Sequence, residues 1–372
     1  MHIAIDAREL LGRATGVGRY LRGLLEVWSA SPGTDRFTLL MPGTSVPPLD
    51  WLARAGRSVD VVSSPGSGGT AWEQCRLPRD LGRLDPDALF APGYTSPLLT
   101  RVPTCVAIHD VSFWARPEWF SAREGARRRW VTKLAAKRAC RVLTISEFSA
   151  SEITRWLGIP RERIVIAPPG LPAVAASSAR DAAVGPTHES RAPQLLYVGS
   201  IFNRRHVDVL IRAFARLQPA WPNATLTIVG DNRTHPRADL EALCRTLGVD
   251  RSVHLRDYVP EAELECAFAS ADVVVFVSEY EGFGLPPLEA LARGVPVVVA
   301  DTAVSHEVLG EAALYVRPGD LDALVAALRV AVEDAGARRA MLTTAGARLA
   351  RYTWTEAAAT VLETLRACSR RP

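Results

Sequence analysis

The chain has 372 residues, of which 48% are hydrophobic and 23% are charged, and its formal net charge is +4. This balance excludes a globally disordered chain, and the length predicts about two domains. No apolar run approaches the roughly 18 residues that span a bilayer. The N-terminal residues, His2–Asp6 among them, are typical of a strand and lack the basic-then-apolar layout of a signal peptide. We therefore expect a soluble, cytoplasmic protein.

The six cysteines are scattered along the chain and form no C-x-x-C pair. They stand at positions 75, 105, 140, 244, 266 and 368. This spacing argues against a disulfide framework or a zinc ribbon and favours small buried side chains. It is also what a reducing compartment predicts.

Short β-branched runs alternate with helical patterns through the first half of the chain. The predicted strands are His2–Asp6, Phe37–Met41, Val59–Ser63, Ala88–Phe90, Thr104–His109, Val142–Ser146 and Ile164–Ala167. The predicted helices are Val17–Ala30, Trp72–Leu81, Arg123–Ala139 and Glu147–Leu157. Alternation of strands and helices is typical of a doubly wound parallel sheet.

The stretch Pro172–Pro193 interrupts this alternation, because it is rich in Ala, Ser and Pro and has no apolar period. We interpret it as an interdomain linker. The later predicted strands are Leu195–Val198, Thr225–Val229, Val253–Leu255, Val273–Val277, Val295–Ala300 and Ala313–Val316. The later predicted helices are Val207–Leu217, Ala238–Leu247, Glu261–Ala269, Pro286–Arg293, Leu321–Glu333, Ala337–Leu349 and Thr355–Cys368. The chain thus predicts an α/β fold of two Rossmann-like doubly wound domains facing a cleft, with ligands at the carboxyl ends of the strands.

An acidic, glycine-rich element follows the predicted strand Val273–Val277. It reads Glu281-Gly282-Phe283-Gly284-Leu285-Pro-Pro-Leu-Glu289 and opens a helix whose first turn suits the two prolines. Glycine backbone can approach a ligand closely, and the N–H groups of a helix start can bind an anion. Two carboxylates at this spacing can hold opposite ends of one long polar ligand. The alternative is a capped helix start with a solvated glutamate.

A basic loop follows the predicted strand Leu195–Val198. It reads Gly199-Ser200-Ile-Phe-Asn-Arg204-Arg205-His206 and precedes a helix. Two adjacent arginines can hold a diphosphate through bidentate hydrogen bonds. A solvated loop is the alternative, but the acidic element in the same half of the chain favours ligand binding.

These two motifs and the overall layout resemble the family 4 retaining glycosyltransferases of the two-Rossmann GT-B architecture, over essentially the whole chain. The resemblance implies an N-terminal acceptor-binding domain at residues 1–171, a linker at 172–193 and a C-terminal donor-binding domain at 194–352. It also implies that a final helix, 353–372, packs back toward the N-terminal domain.

The same resemblance implies a role for each motif residue. Glu281 and the backbone of Gly282, Phe283, Gly284 and Leu285 would hold sugar hydroxyls, Glu289 the ribose hydroxyls, and Arg204 and Arg205 the diphosphate. Gly199 and Ser200 would also bind the donor. The family usually has Arg-Lys-Asn where this chain has Arg204-Arg205-His206. Histidine in place of asparagine removes a good helix cap.

Two elements of the first half support the resemblance. In Thr15-Gly16-Val-Gly18-Arg19-Tyr20 the glycines come about nine residues after Asp6, and Leu21 stands where a dehydrogenase fingerprint needs its third glycine. The element instead resembles the family's first glycine loop, near the donor diphosphate.

His109-Asp110 resembles the family's histidine–aspartate element near the reacting sugar, which makes His109 a catalytic candidate. The alternative is a histidine buried in the core with its hydrogen bonds satisfied. Ser146 is expected to cap the following helix.

Two D-x-D matches and one basic segment complete the sequence signals. Asp85–Asp87 precedes its strand and Asp320–Asp322 opens a helix, so both are read as structural and no metal or other cofactor is predicted. The segment Arg123–Arg141 holds eight basic residues against Glu124, without a clean apolar face. It is either a solvated helix or a surface for anionic lipid or a lipid-linked acceptor.

The resemblance implies a retaining hexosyltransferase that uses an NDP-sugar donor and a glycan or lipid-linked acceptor in polysaccharide biosynthesis. Its first-half motifs are closest to bacterial O-antigen and exopolysaccharide enzymes, which places mannose, carried by GDP-mannose, first among the sugars. No nucleic-acid partner is expected, and contact with the inner membrane face stays open. The alternatives are a nucleotide-sugar epimerase of the same architecture and a noncatalytic nucleotide-sugar-binding protein.

Overall fold

The structure is a computed structural model that describes residues 1–12, 16–43, 49, 51–52, 59–171 and 192–369. The chain divides into two compact units. Unit 1 is made of Met1–Gly170 and Tyr352–Pro372, and unit 2 of Leu171–Arg351. Apart from residues 192 and 193, the predicted linker 172–193 lies outside the described residues.

Unit 1 contains a seven-stranded sheet with helices on both faces. Its strands are β1 (His2–Asp6), β2 (Arg36–Pro42), β3 (Val59–Ser64), β4 (Ala88–Ala91), β5 (Thr104–Ala107), β6 (Arg141–Thr144) and β7 (Ile164–Ile166). Its helices are α1 (Gly16–Ala30), α2 (Leu77–Leu84), α3 (Ser112–Ala115), α4 (Ala122–Arg138), α5 (Glu147–Leu157) and the last helix of the chain, Trp354–Cys368. A π-helical turn, Trp72–Arg76, leads directly into α2.

The sheet of unit 1 has the order β3-β2-β1-β4-β5-β6-β7, with all neighbours parallel. Alternate residues of β1 face opposite layers: Ile3 and Ile5 pack into the core that contains α1, and Ala4 packs with Leu77 of α2. The chain changes direction between β1 and β4, so the loops after these strands diverge to opposite faces. Such a switch point is where open α/β sheets bind ligands.

Unit 2 contains a six-stranded parallel sheet of the same winding. Its strands are β8 (Gln194–Val198), β9 (Thr225–Val229), β10 (Val253–Arg256), β11 (Val273–Phe276), β12 (Val297–Ala300) and β13 (Leu314–Val316). Its helices are α6 (Val207–Leu217), α7 (Leu240–Leu247), α8 (Glu261–Ser270), α9 (Leu285–Ala292), α10 (Ala303–Leu309), α11 (Leu321–Glu333) and α12 (Ala335–Leu349). The strand order β10-β9-β8-β11-β12-β13 puts its switch point between β8 and β11.

The last helix, α13 (Trp354–Cys368), belongs to unit 1 and packs closely against two glycines there. A Cβ atom added at Gly23 would stand 2.5 Å from the Trp354 indole, and one at Gly170 would stand 2.1 Å from the Trp354 backbone nitrogen. Further along the helix, the Trp28 indole donates a hydrogen bond of 2.9 Å to the Ala358 carbonyl. Side chains at these glycine positions would therefore displace α13.

One cysteine pair departs from the sequence expectation. Cys140, just before β6, forms a disulfide with Cys368 at the end of α13, across 228 residues of sequence. Cys105 and Cys244 are buried as expected, whereas Cys75 and Cys266 are exposed. The spacing rule fails here because it reads only local pairs, and the fold brings distant segments together.

The predicted elements agree with the structure apart from end positions and two short helices. Glu147–Leu157, Val207–Leu217 and Leu321–Glu333 are found with the predicted bounds. The helices α3 and α10 were not predicted, because four and seven residues are too short for a clear apolar period. No helix among the described residues is long and apolar enough to cross a membrane.

Candidate active site

Two loops meet at the switch point of unit 2. They follow the neighbouring strands β8 and β11 and contain the basic and the acidic motif respectively. The loops are joined through the backbone, since the Glu279 N–H donates to the Arg204 carbonyl at 2.9 Å. The Arg204 Nε atom in turn donates to the Tyr280 carbonyl at 3.1 Å. The two sequence motifs are therefore parts of one site.

A buried ion pair lies at the centre of this site. Arg205 Nε is 2.6 Å from Glu281 Oε1, and the two side chains are only 13% and 14% exposed. The same carboxylate oxygen accepts a hydrogen bond of 2.8 Å from the Ser278 hydroxyl. Burial opposes ionisation of Glu281, but the charges of Arg205 and Arg204 outweigh it, so that the pKa of Glu281 lies below its ordinary value. Glu281 is thus an ionised hydrogen-bond acceptor.

Aromatic rings and a carbonyl fix the two guanidinium groups. Arg204 lies over the ring of Phe202 at 4.5 Å, and Arg205 lies over Phe276 at 5.2 Å. Arg205 Nη1 also donates to the Ser200 carbonyl at 2.8 Å. Stacked and bonded in this way, the arginines lose little further freedom when an anion binds.

Close backbone approach explains the glycine at the end of β8. Gly199 has a φ of +137°, which favours glycine, and an added Cβ would stand 2.6 Å from Arg205 Nη1. From the end of β9, Gly230 approaches so closely that its Cβ would stand 1.9 Å from the Gly199 carbonyl oxygen. Both positions therefore keep the floor of the site free of side chains.

The acidic motif turns into a helix as predicted, one residue earlier than expected. Gly284, with a φ of +97°, is the residue before α9, and both prolines fall in its first turn. Glu289 lies within α9 and is 7% exposed. Its backbone carbonyl accepts a hydrogen bond of 2.7 Å from Arg293 Nη1. The solvated-glutamate alternative is thereby excluded for Glu289.

His206 takes the position before α6 without capping it. Its backbone is left-handed, with a φ of +47°, and its side chain makes no cap hydrogen bond. His206 Nε2 instead lies 3.2 Å from Glu279 Oε2. The sequence predicts that this helix lacks a side-chain cap, and the structure confirms it. The His206 side chain contacts the acidic loop through Glu279.

In unit 1, His109 lies two residues beyond β5 and is almost fully buried. Its Nε2 atom is 2.8 Å from the Pro92 carbonyl, which can only accept, so Nε2 carries the proton. Burial lowers the pKa of His109, while the Pro92 carbonyl and Asp110 act in the opposite direction. The ring is thus a neutral imidazole with Nδ1 as an acceptor. Tyr20 of α1 packs edge-on against it at 5.2 Å.

The glycine element of the first half is part of a helix rather than of a loop before it. Helix α1 begins at Gly16, so Gly16 and Gly18 both lie in its first turn. Residues 13–15 lie outside the described part of the chain. Gly16 is exposed, with nothing within 4 Å of an added Cβ, and Gly18 is buried. The element thus lies at the N-terminal end of α1, where the helix dipole is positive.

A buried charged cluster lies after β1, which the sequence did not single out. Arg8 is 3.0 Å from Asp6 Oδ2 and is also paired with Glu73, and both carboxyl side chains are 2% exposed. Thr95, after β4, donates to Glu73 at 2.5 Å. Burial, partly offset by Arg8, raises the pKa of Asp6 to about 6. This cluster supports the loop that also carries the Pro92 carbonyl.

Comparison with known proteins identifies the family. Residues 192–334 match the family model described as glycosyl transferases group 1, and residues 14–173 match the one described as glycosyltransferase family 4. The two matches together cover most of the chain. The chain belongs to the family 4 glycosyltransferases.

Curated relatives of this glycosyltransferase include two enzymes named for O-antigen chains. The chain is 29% identical to O-antigen chain mannosyltransferase B of Escherichia coli over 66% of its own length and 65% of the relative's. It is 28% identical to O-antigen chain mannosyltransferase RfbU of Salmonella typhimurium, over 61% and 60% of the two chains. The matches thus span less than two thirds of these relatives.

Solved structures show the GT-B fold. HepE from Anabaena, in complex with UDP and glucose, has a TM-score of 0.74 at 18% identity and covers 99% of this chain and 100% of its own. WaaG, a glycosyltransferase involved in lipopolysaccharide biosynthesis, has a TM-score of 0.72 at 18% identity, with 98% and 99% covered. The predicted fold class is therefore confirmed.

Both D-x-D matches of the glycosyltransferase have structural roles, as predicted. Asp87 accepts a hydrogen bond of 2.7 Å from the His2 backbone, and Asp320 caps α11 by accepting from the Ala323 N–H at 3.0 Å. Ser146 likewise caps α5. Across the described ranges, no group of three or more His, Cys, Asp or Glu side chains is placed to hold a metal ion.

The site contains residues that the motifs did not indicate. Ser278, Gly230 and Phe276 of the glycosyltransferase each contact the basic or the acidic loop. Only Gly230 carried a signal, a glycine directly after a strand. In unit 1 the structure adds Tyr94 beside the predicted His109-Asp110 element, with the Tyr94 hydroxyl donating to Asp110 Oδ2 at 2.8 Å.

Proposed function

We propose that this protein transfers a hexosyl group from a nucleoside-diphosphate sugar to a hydroxyl of a glycan or lipid-linked acceptor, with retention of configuration. The observation that carries the proposal is the ion pair Arg205–Glu281 beside Arg204 at the switch point of unit 2. Cations next to an ionised carboxylate and bare backbone suit a ligand with a diphosphate at one end and sugar hydroxyls at the other.

The comparisons support the donor class and the first sugar to test. HepE is described in complex with UDP-glucose, which supports a nucleotide-sugar donor. The relatives named as O-antigen mannosyltransferases support mannose, and hence GDP-mannose, in the synthesis of a polysaccharide. We rank this donor first.

In the proposed mechanism the protein orients its substrates and stabilises the leaving phosphate. The sugar–phosphate bond breaks as the acceptor oxygen bonds to the same face of the anomeric carbon, and a donor phosphate oxygen takes the acceptor proton. Arg204 and Arg205 stabilise the charge that develops on the diphosphate. Gly16 and Gly18, at the start of α1, remain proposed donor-binding residues. Glu281 binds sugar hydroxyls rather than attacking the sugar. His109 offers Nδ1 to a hydroxyl group.

Ligand binding tests the donor site. Thermal-shift measurements with GDP, UDP, ADP and their sugars should show stabilisation by one nucleoside diphosphate and its sugar. Arg204→Ala should abolish both shifts. The matched control is Arg245→Ala, which removes an arginine that is 60% exposed on α7 and should leave them unchanged. Equal binding by Arg204→Ala would contradict the diphosphate role.

Turnover tests the reaction class. Incubation with donor and a lipid-linked glycan extract should yield a product whose anomeric configuration, measured by NMR, equals that of the donor. Addition of EDTA should leave the rate unchanged, since we propose that arginines rather than a metal or other cofactor neutralise the diphosphate. An epimerised sugar formed without acceptor would support the epimerase instead, and tight donor binding without any turnover would support a binding protein.

We further propose that α4 contacts an anionic bilayer at the inner membrane face. Its buried residues are small, whereas Trp130 is 69% and Leu134 41% exposed. Arg127 and Lys137 lie on the same face as these two side chains, at helical spacing, and are exposed as well. Aromatic and aliphatic side chains among cations suit the interface of a membrane that carries anionic lipid.

Vesicle binding tests this surface. The protein should sediment with vesicles of phosphatidylcholine and phosphatidylglycerol and not with phosphatidylcholine alone, and high salt should release it. Trp130→Ala with Leu134→Ala should weaken binding. Leu99→Ala is the matched control, because Leu99 is 81% exposed outside the basic helix. Equal binding by the double variant would contradict the proposal.

A further inference from the structure

Tyr94 has a backbone conformation that a tyrosine rarely adopts. Its φ is +65°, in the left-handed region, where a side chain with a Cβ costs about 1–2 kcal/mol. The other non-glycine residues with positive φ in the described ranges are Asp85 and His206, and each adjoins the end of a helix. Tyr94 adjoins no helix. It lies in the turn 92–96, which follows β4.

Hydrogen bonds hold this turn at three of its residues. The Pro92 carbonyl accepts from His109 Nε2 at 2.8 Å, and the Tyr94 N–H donates to the Ala107 carbonyl at 2.8 Å. Thr95 donates to the buried carboxylate of Glu73 at 2.5 Å. These contacts over-determine the turn, which is the condition under which strained backbone persists in a folded protein.

Tyr94 contacts the catalytic candidate His109 and its neighbour Asp110. The Tyr94 hydroxyl donates to Asp110 Oδ2 at 2.8 Å, while Asp110 Oδ1 accepts from the Ser112 N–H at 2.9 Å. The Tyr94 ring packs edge-on against His109 at 5.6 Å, and Tyr20 packs against it at 5.2 Å. His109 is thus held between two rings with its proton on Nε2, and both oxygens of Asp110 are occupied by donors.

We propose that Tyr94 is a positioning residue for glycosyl transfer, which sets the orientation of His109 and Asp110 through its ring and its hydroxyl. The left-handed backbone is retained because a relaxed turn would move the Tyr94 ring and hydroxyl away from these two groups. This inference rests on the proposed function, and it adds a role that the sequence motifs and the resemblance do not assign.

Removal of the hydroxyl alone tests the positioning role. Tyr94→Phe keeps the ring and the backbone, so the midpoint of thermal unfolding and the KM for the donor should stay near those of the unchanged protein. The kcat should fall about tenfold, because small misplacement of reacting groups is costly. In an Asp110→Ala background, Tyr94→Phe should cause no further loss. Tyr315→Phe, which removes the hydroxyl bonded to the Gly310 carbonyl in unit 2, is the matched control and should leave kcat unchanged.

A kcat for Tyr94→Phe equal to that of the unchanged protein would overturn the positioning role and leave the proposed function standing. Additive losses in the Asp110→Ala background would overturn it as well. Absence of transfer from every donor by the unchanged protein would instead be a failure of the proposed function.

A second readout needs no turnover. Tyr94→Gly accepts the backbone conformation but uncovers His109, whose neighbours are then Tyr20, Asp110 and the Pro92 carbonyl. The pKa of His109, followed by NMR of its imidazole, should rise toward its ordinary value. Asp85→Gly, which relieves the same backbone conformation at the exposed end of α2, should leave it unchanged. An unchanged His109 pKa in Tyr94→Gly would overturn the positioning role.

Discussion

Arg205 holds Glu281 through a buried ion pair, with Arg205 Nε 2.6 Å from Glu281 Oε1. The pair joins the loop after β8 to the loop after β11. It therefore has two tasks: to keep Glu281 ionised for a ligand and to hold the two halves of the site together. The two tasks can be separated by measurement.

Arg205→Ala should lower the free energy of unfolding by about 3 kcal/mol, because it leaves a buried carboxylate without its cation. Glu281→Gln should lower the free energy of unfolding by less, since the amide oxygen can still accept a hydrogen bond from the Ser278 hydroxyl. The double variant should cost less than the sum of the two single variants in urea unfolding. The control pair Arg256 and Glu263, more than half exposed, should couple by less than about 0.5 kcal/mol. Additive losses at Arg205 and Glu281 would contradict the pairing.

Gly230→Ala should destabilise unit 2 and weaken donor binding together. The new Cβ would stand 1.9 Å from the Gly199 carbonyl oxygen, so either the loop after β9 or the loop after β8 must move. We expect a loss of at least about 2 kcal/mol in urea unfolding. Gly82→Ala is the control, because nothing lies within 4 Å of its added Cβ and alanine favours a helix by about 0.5–1 kcal/mol. An unperturbed Gly230→Ala would mean that the loops do not meet as described.

The Asp6 carboxyl predicts a pH-dependent difference in stability. Its pKa is raised to about 6 in the folded chain from an ordinary value of 3.8, so the folded state binds its proton more tightly than the unfolded state. This contribution is fully present below the ordinary pKa and is lost as the pH rises through 6. Between pH 5 and pH 8 the unchanged protein should therefore lose about 1 kcal/mol relative to Asp6→Asn. A pH-independent difference would indicate that Arg8 keeps Asp6 ionised throughout this pH range.

Reduction of the Cys140–Cys368 disulfide should destabilise unit 1. The bond closes a loop of 228 residues, and disulfides of this kind typically contribute about 2–4 kcal/mol. Urea unfolding with and without dithiothreitol should show the difference, and Cys140→Ser should remove it. Cys75→Ser changes an exposed free thiol and should retain the full response to reductant. Equal stability in both conditions would mean that the two cysteines are not joined.

Local patterns in the chain predict most of this architecture. The strands of unit 2 are short β-branched runs between glycine- and proline-rich turns, so Thr225–Val229 is found with the predicted bounds. Glu281 and Arg205 could be assigned to one site because parallel strands of one sheet end at the same edge. Their direct pairing could not be predicted, since both residue types also suit separate ligand contacts.

What the sequence could not reveal depends on contacts between distant segments. Tyr94 has no propensity for a left-handed backbone; its conformation follows from β5 and from Glu73, which are remote in the sequence. The Cys140–Cys368 bond exists only because α13 returns to unit 1.

The packing of α13 in unit 1 has a consequence for synthesis of the chain. Unit 2 is interposed between Gly170 and Tyr352, so the ribosome completes it before α13 is made. At about 5–20 residues per second, unit 1 waits on the order of ten seconds or longer with the groove around Gly23 and Trp28 uncovered. During that interval the nascent chain exposes the apolar surface that α13 later covers. The N-terminal half of this protein is therefore the last to be finished.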